Sequence, residues 1–175
     1  MADLAISIAT ELKRRELEEL CDATQAAIEA GGGFGWVKPP HRNILEVFWK
    51  GVTLVPDRAL FIAKLDGTVA GSAQLVRPTR NNEAQAHSAH LTTSFVAPWA
   101  RGHGLARQLT QAVEAEARAR NIKVLNLDVR ETQQAAISLY RNLGYLEIGR
   151  HPRYAQVDGH YIGGLYFWKS LEGAA

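Results

Sequence analysis

Cysteine is almost absent from this chain of 175 residues, with Cys21 the only one. A lone thiol excludes an internal disulfide and any metal site built on paired cysteines. The six histidines show no His-x-x-x-His pair or His/Cys cluster at ligand spacing, so no metal is expected. No apolar run reaches the ~18 residues of a membrane-spanning helix, which excludes a helical membrane anchor within the chain. The start, Met-Ala-Asp, lacks a basic segment followed by an apolar one, so no signal peptide is expected and a cytoplasmic location follows. Charge of one sign is also scarce. Lysine and arginine number 20 against 18 acidic residues, a formal net charge of +2, and the basic residues are dispersed. That charge is too small and too scattered to argue for nucleic acid as a partner, and none is expected. There is no Gly-x-Gly-x-x-Gly and no Gly-Lys-Ser/Thr, so neither a dinucleotide fingerprint nor a Walker loop is available. No repeats or low-complexity segments occur. What is there is an ordinary apolar content of 46%, enough for one domain, residues 1–175, with a real core.

The chain turns on the stretch Val96-Ala97-Pro98-Trp99-Ala100-Arg101-Gly102-His103-Gly104-Leu105-Ala106-Arg107. An apolar run from Leu91 to Val96 leads in as a strand. Pro98 stops it, because proline offers no N–H to a sheet ladder. A helical pattern from Leu105 to Arg120 leads out. Gly102 and Gly104 allow a sharp turn and a close approach to a ligand. The first N–H groups of the helix have no partner within it, and the helix dipole favours an anion there. Arg101, Arg107 and His103 add positive charge. These features predict a phosphate cradle; the plain alternative is a tight strand-to-helix turn with solvated arginines.

A second segment narrows the reading. Val124 to Val129 alternates as a strand, and Gln133 to Leu143 follows as a helix carrying Ala136, Leu139, Tyr140 and Leu143 before Gly144-Tyr145. The spacing Arg101-x-x-Gly104-x-Ala106 resembles the acetyl-CoA pyrophosphate loop of the GCN5-related N-acetyltransferases (GNAT). The string Ala135 to Tyr145 resembles the same family's coenzyme-binding helix. The resemblance covers roughly residues 55 to 171. The Gly-rich segment near residue 33, the run Arg101 to Leu109 and the C-terminal Asp158-Gly159 hairpin also look like the tabtoxin-resistance type of small-molecule acetyltransferase.

In chain order, Leu4 to Leu12 reads as a strand, and Lys13 to Ala30 as an amphipathic helix with Leu17, Leu20, Cys21, Ala27 and Ile28 on its apolar face. On that face Cys21 is expected to act as a small core residue. Gly31-Gly32-Gly33 ends the helix and Pro39-Pro40 closes the following loop. Asn43 is read as the cap of a second helix carrying Leu45, Val47, Phe48 and Val52. Ala59 to Leu65 and Val69 to Val76 are strands joined by Asp66-Gly67, whose composition suits a type I′ hairpin turn. Arg77 to Gln85 is a polar loop and Ser88 to Val96 a strand. Tyr145 to Ile148 is a short strand, Gly149 to Gly159 a loop, and Tyr161 to Leu171 the last strand. Early hairpins and late strand-helix-strand units imply an α/β (α+β) class with a mixed, mostly antiparallel sheet and helices on both faces. The first helices are expected to cap one end. The resemblance implies the GNAT acyl-CoA N-acyltransferase fold, with about seven strands and four helices.

The resemblance assigns roles. Acetyl-CoA becomes the co-substrate, held by Ser94, Phe95, Val96, Arg101, Gly102, His103, Gly104, Leu105, Ala106, Arg107, Gln133 and Ala136. Strand groups from Ser94 to Val96 pair with its pantetheine arm like an added strand. The N–H of Phe95 or Val96 serves the thioester carbonyl. Tyr140 becomes the acid beside the departing sulfur, although a core tyrosine at helical spacing is the plain alternative. Many relatives carry a glutamate on the strand leading to the cradle; here the matching position, eight before Pro98, is His90. An imidazole near pKa ~6.5 suits a base, while Asp128, at the end of its strand, is the other candidate. Phe34 and Trp36 either line an acceptor pocket or fill a gap between helices. Arg130 either pairs with a substrate carboxylate or is solvated. Tyr154, with Asp158 and His160, lies on the hairpin that closes the acceptor site in relatives. Relatives often form homodimers, and the resemblance implies that option here, through the last strand or the helices.

The expected function is acetyl transfer from acetyl-CoA to a primary amine of a small or amino-acid-like molecule, by direct attack in a ternary complex. Two alternatives stay open: acetylation of a protein or tRNA-linked amine, and a non-catalytic acyl-CoA sensor on the same fold.

Overall fold

The structure, a computed structural model, describes residues 2–32 and 34–173. Gly33, and with it one residue of the Gly-rich segment, lies outside the described residues. In chain order the elements are β1 (Leu4–Ala9), α1 (Arg14–Glu29), α2 (Arg42–Thr53), β2 (Arg58–Leu65), β3 (Thr68–Val76), β4 (Ser88–Val96), α3 (Leu105–Ala119), β5 (Val124–Arg130), α4 (Gln134–Asn142), β6 (Leu146–Val157) and β7 (His160–Ser170). The strands form one sheet in the order β1-β2-β3-β4-β5-β7-β6. Every neighbouring pair is antiparallel except β4 and β5, which run parallel.

Strand alternation builds two cores, one on each face. Phe61, Ala63 and Leu65 of β2 join Leu105, Leu109, Val113 and Ala117 of α3. Leu60 and Ile62, which alternate with them along the strand, join Leu17, Leu20 and Ala27 of α1 and Leu45, Trp49 and Val52 of α2. Full burial of a leucine or isoleucine contributes roughly 1.5–3 kcal/mol, so the 3.6-residue spacing on α1 and α3 decides which face each helix turns inward. The first two helices therefore cover a sheet face and do not cap an end. Cys21 is fully buried within that layer, and burial pushes its thiol up to about 11. It is a core residue and no nucleophile.

Asp66 and Gly67 take φ of 49° and 80°, the left-handed pair that a type I′ turn needs. Two expectations at turn signals fail. Asn43 does not cap α2: the helix begins at Arg42, with His41 at the cap position and no side-chain cap bond. Arg42 instead ties α2 to α1, donating to the Asp22 carboxylate and, at 2.7 Å, to the Glu18 carbonyl. The expected loop from Gly149 to Gly159 is mostly strand, because β6 runs on to Val157. Long pairing with β7 overrides the local signals of Gly149 and Pro152. Pro152 falls in a bulge, where Pro152, Arg153 and Tyr154 stand opposite Gly163 alone.

The parallel ladder between β4 and β5 is short. Only Ser88, Ala89 and His90 pair with Val124, Leu125 and Asn126. Beyond it the two strands separate, β4 continuing to Val96 and β5 to Arg130. A second irregularity lies on the far side of β4. Ser72 pairs with Phe95 and Gln74 with Thr92, so Thr93 and Ser94 share the single partner Ala73. Thr93 takes φ of 49° to make this bulge. The middle of the sheet is thus open, and both cavities described next lie at the opening.

Candidate active site

The first cavity, of about 750 Å³, is bounded by the loop before α3, the start of α4, the end of β4 and the end of α1. Pro98–Ala100 forms a single 3-10 turn after β4. Gly102 and Gly104 follow, both at φ of 82°. A Cβ at either would meet no protein atom within 4 Å, so the backbone angle, not crowding, requires glycine there. The helical ladder of α3 begins with the Gln108 N–H to the Gly104 carbonyl at 3.1 Å. The N–H groups of Leu105, Ala106 and Arg107, which precede that bond, therefore have no helical acceptor. All three residues line the cavity, with Arg101, Gly102 and Gly104. Free N–H donors and the helix dipole face a cavity that Arg101 and Arg107 also line, the kind of arrangement that binds a phosphate.

Eleven of the twelve expected coenzyme residues line this cavity: Ser94, Phe95, Val96, Arg101, Gly102, Gly104, Leu105, Ala106, Arg107, Gln133 and Ala136. His103 does not. Its Nδ1 turns back onto the loop, 3.0 Å from the Arg101 carbonyl and 3.2 Å from that of Ala100. Sequence reasoning missed the wall contributed by α1, namely Ala27, Ala30, Gly31 and Gly32. Small residues at a helix end read as packing, and nothing local marks them as lining a cavity. Gln133 joins that wall to α4, its amide donating to the Gly31 carbonyl at 2.8 Å.

Backbone direction along β4 follows from two observations. The Ala97 N–H donates to the Ala70 carbonyl of the β3 side at 2.7 Å. The Phe95 carbonyl also faces β3, since a Cβ on Gly71 would stand 2.4 Å from it. Backbone groups alternate along a strand, so Val96 turns its N–H the other way, toward the opening. Of the two donors expected at the thioester, Val96 and not Phe95 has this direction.

The second cavity, of about 680 Å³, holds Asp128, Arg130, Phe34, Trp36 and Tyr154, so every expected acceptor residue and one expected base line it. Phe34 is buried against Phe95 with ring centroids 4.8 Å apart, and its carbonyl accepts from Arg130. The Tyr154 hydroxyl donates to Asp128. Burial, followed by the Asp128 carboxylate, pushes the Tyr154 phenol above its ordinary range. His90 lines neither cavity. It is exposed and lies within the closed part of the sheet, between Val76 and Asn126, before β4 and β5 separate. Asp158, in the β6–β7 turn, and His160, which opens β7 with its Nδ1 2.9 Å from the Asp158 carbonyl, also lie outside the second cavity. Phe48, Thr92, Thr93 and Gln156 are among the other residues that line it. Phe48 read as core by its helical spacing.

Four residues line both cavities: Ser94, Gln133, Ala136 and Tyr140. Tyr140 is only 6% exposed. Burial pushes its phenol above the ordinary value, Asp128 adds to the rise, and the Ser94 side chain opposes it. Its ring packs edge-on against Tyr145, centroids 5.6 Å apart. Tyr145 reaches that place because Gly144, at φ of 85°, turns the chain at the end of α4.

The acetyltransferase (GNAT) family model matches residues 17–145. The chain belongs to the GNAT family. An uncharacterised N-acetyltransferase encoded in the hisH–hisA intergenic region of Azospirillum brasilense is 65% identical over 134 residues, covering 77% of this chain and 80% of that one. An N-acetyltransferase from Staphylococcus aureus has the same fold, with a TM-score of 0.82 at 20% identity, covering 97% of this chain and 99% of that one. YncA of Salmonella typhimurium, an acetyltransferase solved with its cofactor acetyl-CoA, superposes with a TM-score of 0.79 at 17% identity, covering 99% and 96% of the two chains. The acetyltransferase described here uses acetyl-CoA as its co-substrate, in keeping with the donor set at the start of α3. Among the described residues no group of three metal-ligating side chains occurs.

Proposed function

We propose that the enzyme transfers acetyl from acetyl-CoA to the primary amine of a small, amino-acid-like molecule, by direct attack in a ternary complex. The observation that carries this is the sharing of Tyr140 and Ser94 by the two cavities. A thioester held in the first and an amine held in the second meet there with no carrier between them. The only thiol, Cys21, is buried and lines neither cavity, so no acetyl-cysteine lies on the path. The Arg130–Phe34 and Tyr154–Asp128 bonds tie β5 to both flanking walls of the second cavity. That favours a small acceptor over a polypeptide.

In this reading the amine nitrogen attacks the thioester carbonyl carbon. A C–N bond forms and the C–S bond breaks; the proton lost by nitrogen passes to water, and sulfur leaves as the thiolate, which takes up a proton from solvent. The Val96 N–H stabilises the carbonyl oxygen as it gains charge; one such donor is typically worth about 3 kcal/mol of barrier. A carboxylate is a weaker base than an alkyl amine by roughly six pH units. Asp128 therefore anchors the ammonium and passes its proton toward water, rather than holding it. Tyr140 donates a hydrogen bond to the departing sulfur. A thiol at ~8.5 is more acidic than a phenol at ~10, and burial widens that gap. Complete proton transfer from Tyr140 is thus uphill, and the thiolate leaves hydrogen-bonded to it.

The test is calorimetric titration with acetyl-CoA and CoA, repeated with Gly104→Leu, followed by a thiol-release screen of amines. Micromolar binding abolished by the substitution, then turnover, is the expected result. Binding without turnover on any amine would make the protein a sensor and remove the catalytic reading.

A further inference from the structure

Two side chains carry the formal charge of the acceptor cavity, Asp128 and Arg130. They stand two residues apart on β5 and so project from one face of it, with their Cα atoms about 6.6 Å apart. Neither is used up by its described partner. Tyr154 occupies Oδ2 of Asp128, which leaves the other oxygen. Phe34 takes one N–H of a guanidinium that has five. A cavity with one anion beside one cation, both with bonding capacity left, matches a zwitterion. It does not match a polyamine or an aminosugar, which would need several carboxylates, nor a phosphorylated amine, which would need more than one cation.

The remaining walls are aromatic. Trp49, Phe48 and Trp36 form a file from the core to the cavity. Trp49 is fully buried and Phe48 packs on it edge to face, centroids 4.9 Å apart at 71°. Trp36 packs on Phe48 in the same way, at 5.0 Å and 78°. Phe48 and Trp36 are half-buried and both line the cavity, with Tyr154 and Phe34. Rings set at right angles present a face and an edge to whatever lies beside them, the surroundings that aromatic pairs prefer. An aliphatic chain gains the apolar contact there but not the quadrupole match.

We propose that the acceptor is an α-amino acid with an aromatic side chain, its ammonium on Asp128, its carboxylate on Arg130 and its ring against Trp36 and Phe48. This rests on the acetyltransferase reading above and narrows its substrate.

The experiment measures kcat/KM for thiol release from acetyl-CoA with L-phenylalanine, L-tryptophan, L-norleucine and phenethylamine, using the whole enzyme. The amino acid L-phenylalanine should exceed norleucine, which lacks the ring, and phenethylamine, which lacks the carboxylate, by about tenfold each. Trp36→Leu should shrink the phenylalanine-to-norleucine ratio to about threefold or less, and Arg130→Lys should shrink the phenylalanine-to-phenethylamine ratio. Phe48→Leu provides an independent variant should the Trp36 change unfold the loop. Norleucine or phenethylamine matching phenylalanine overturns the aromatic amino-acid assignment and leaves the enzyme an acetyltransferase of another amine. No thiol release with any amine, while acetyl-CoA still binds, overturns the catalytic reading and this assignment with it.

Discussion

The ring of Tyr154 occupies the space that a side chain at position 164 would fill: a Cβ on Gly164 would stand 2.1 Å from it. The glycine on β7 lets a residue of β6 lean across the intervening strand and reach Asp128 on β5. The bulge at Pro152 to Tyr154 frees the chain to do so. Gly164→Ala should displace the ring and break the bond to Asp128. The expected result is an acceptor KM raised about tenfold, the scale of one lost positioning contact, with acetyl-CoA affinity unchanged. Tyr154→Phe removes the bond without the collision and should act in the same direction. Steady-state kinetics on both variants checks this, and an unchanged KM in both would separate Tyr154 from acceptor binding.

Tyr140→Phe should lower kcat by about 10²–10³-fold, the usual scale of acid–base assistance. A loss below a few-fold removes Tyr140 from the mechanism. Because burial holds its phenol above the ordinary value near ~10, Tyr140 keeps its proton across the neutral and mildly alkaline range. The pH profile of kcat should therefore show no descending limb below about pH 10 that disappears in the variant.

Tyr145 gives a stability prediction. Its hydroxyl is buried and makes no hydrogen bond of normal geometry among the described residues, although the Glu114 carboxylate stands near enough to act on it. Burial, followed by the charge of Glu114, pushes its phenol well above the ordinary range. Unfolded tyrosine titrates near ~10, so the folded chain binds the proton more tightly. The stability linked to that proton is complete below about pH 10 and is lost as pH rises from there toward the folded value. Tyr145→Phe should flatten this alkaline loss. At pH 8 it should also leave Tm unchanged or raise it by about 2–4 °C, since an unpaired buried hydroxyl costs roughly 1 kcal/mol. Thermal unfolding at pH 8 and at pH 10.5 tests both parts.

Gly71→Ala should act on β4 from behind. The new methyl would lie 2.4 Å from the Phe95 carbonyl, a backbone atom with no rotamer to change. The strand must shift, at a cost of about 1–3 kcal/mol for forced overpacking, and Val96 shifts with it. Urea unfolding should show the destabilisation, and acetyl-CoA titration a weakened complex.

Much of this site was legible in the sequence because it is built from local signals. The strand-stopping Pro98, the two glycines and the helix pattern from Leu105 are contiguous, and a strand-to-helix turn of that kind needs little tertiary help. Family likeness alone singles out Tyr140, whose helical spacing reads as core packing; the residue is both buried and on the wall shared by the two cavities. What failed depended on distant partners. Nothing near His90 reveals that β4 and β5 are still paired there and separate only afterwards. Nothing near Pro152 reveals that β7 will hold its flanks in a strand. His103 sits within the motif, yet its ring is satisfied by two carbonyls of its own loop.

Thr93 shows what the reaction demands of the scaffold. A β-branched residue at positive φ is an outlier that costs of order 1–3 kcal/mol. A regular β4, paired along its whole length with β5, would bury more backbone hydrogen bonds and make a sturdier protein. It would also seal the opening where the two cavities adjoin, the place at which the proposed reaction brings thioester and amine together. Selection for thermostability alone should therefore erase this catalyst by repairing its sheet, and variants recovered for heat resistance at positions 91–96 should be the ones that have lost turnover.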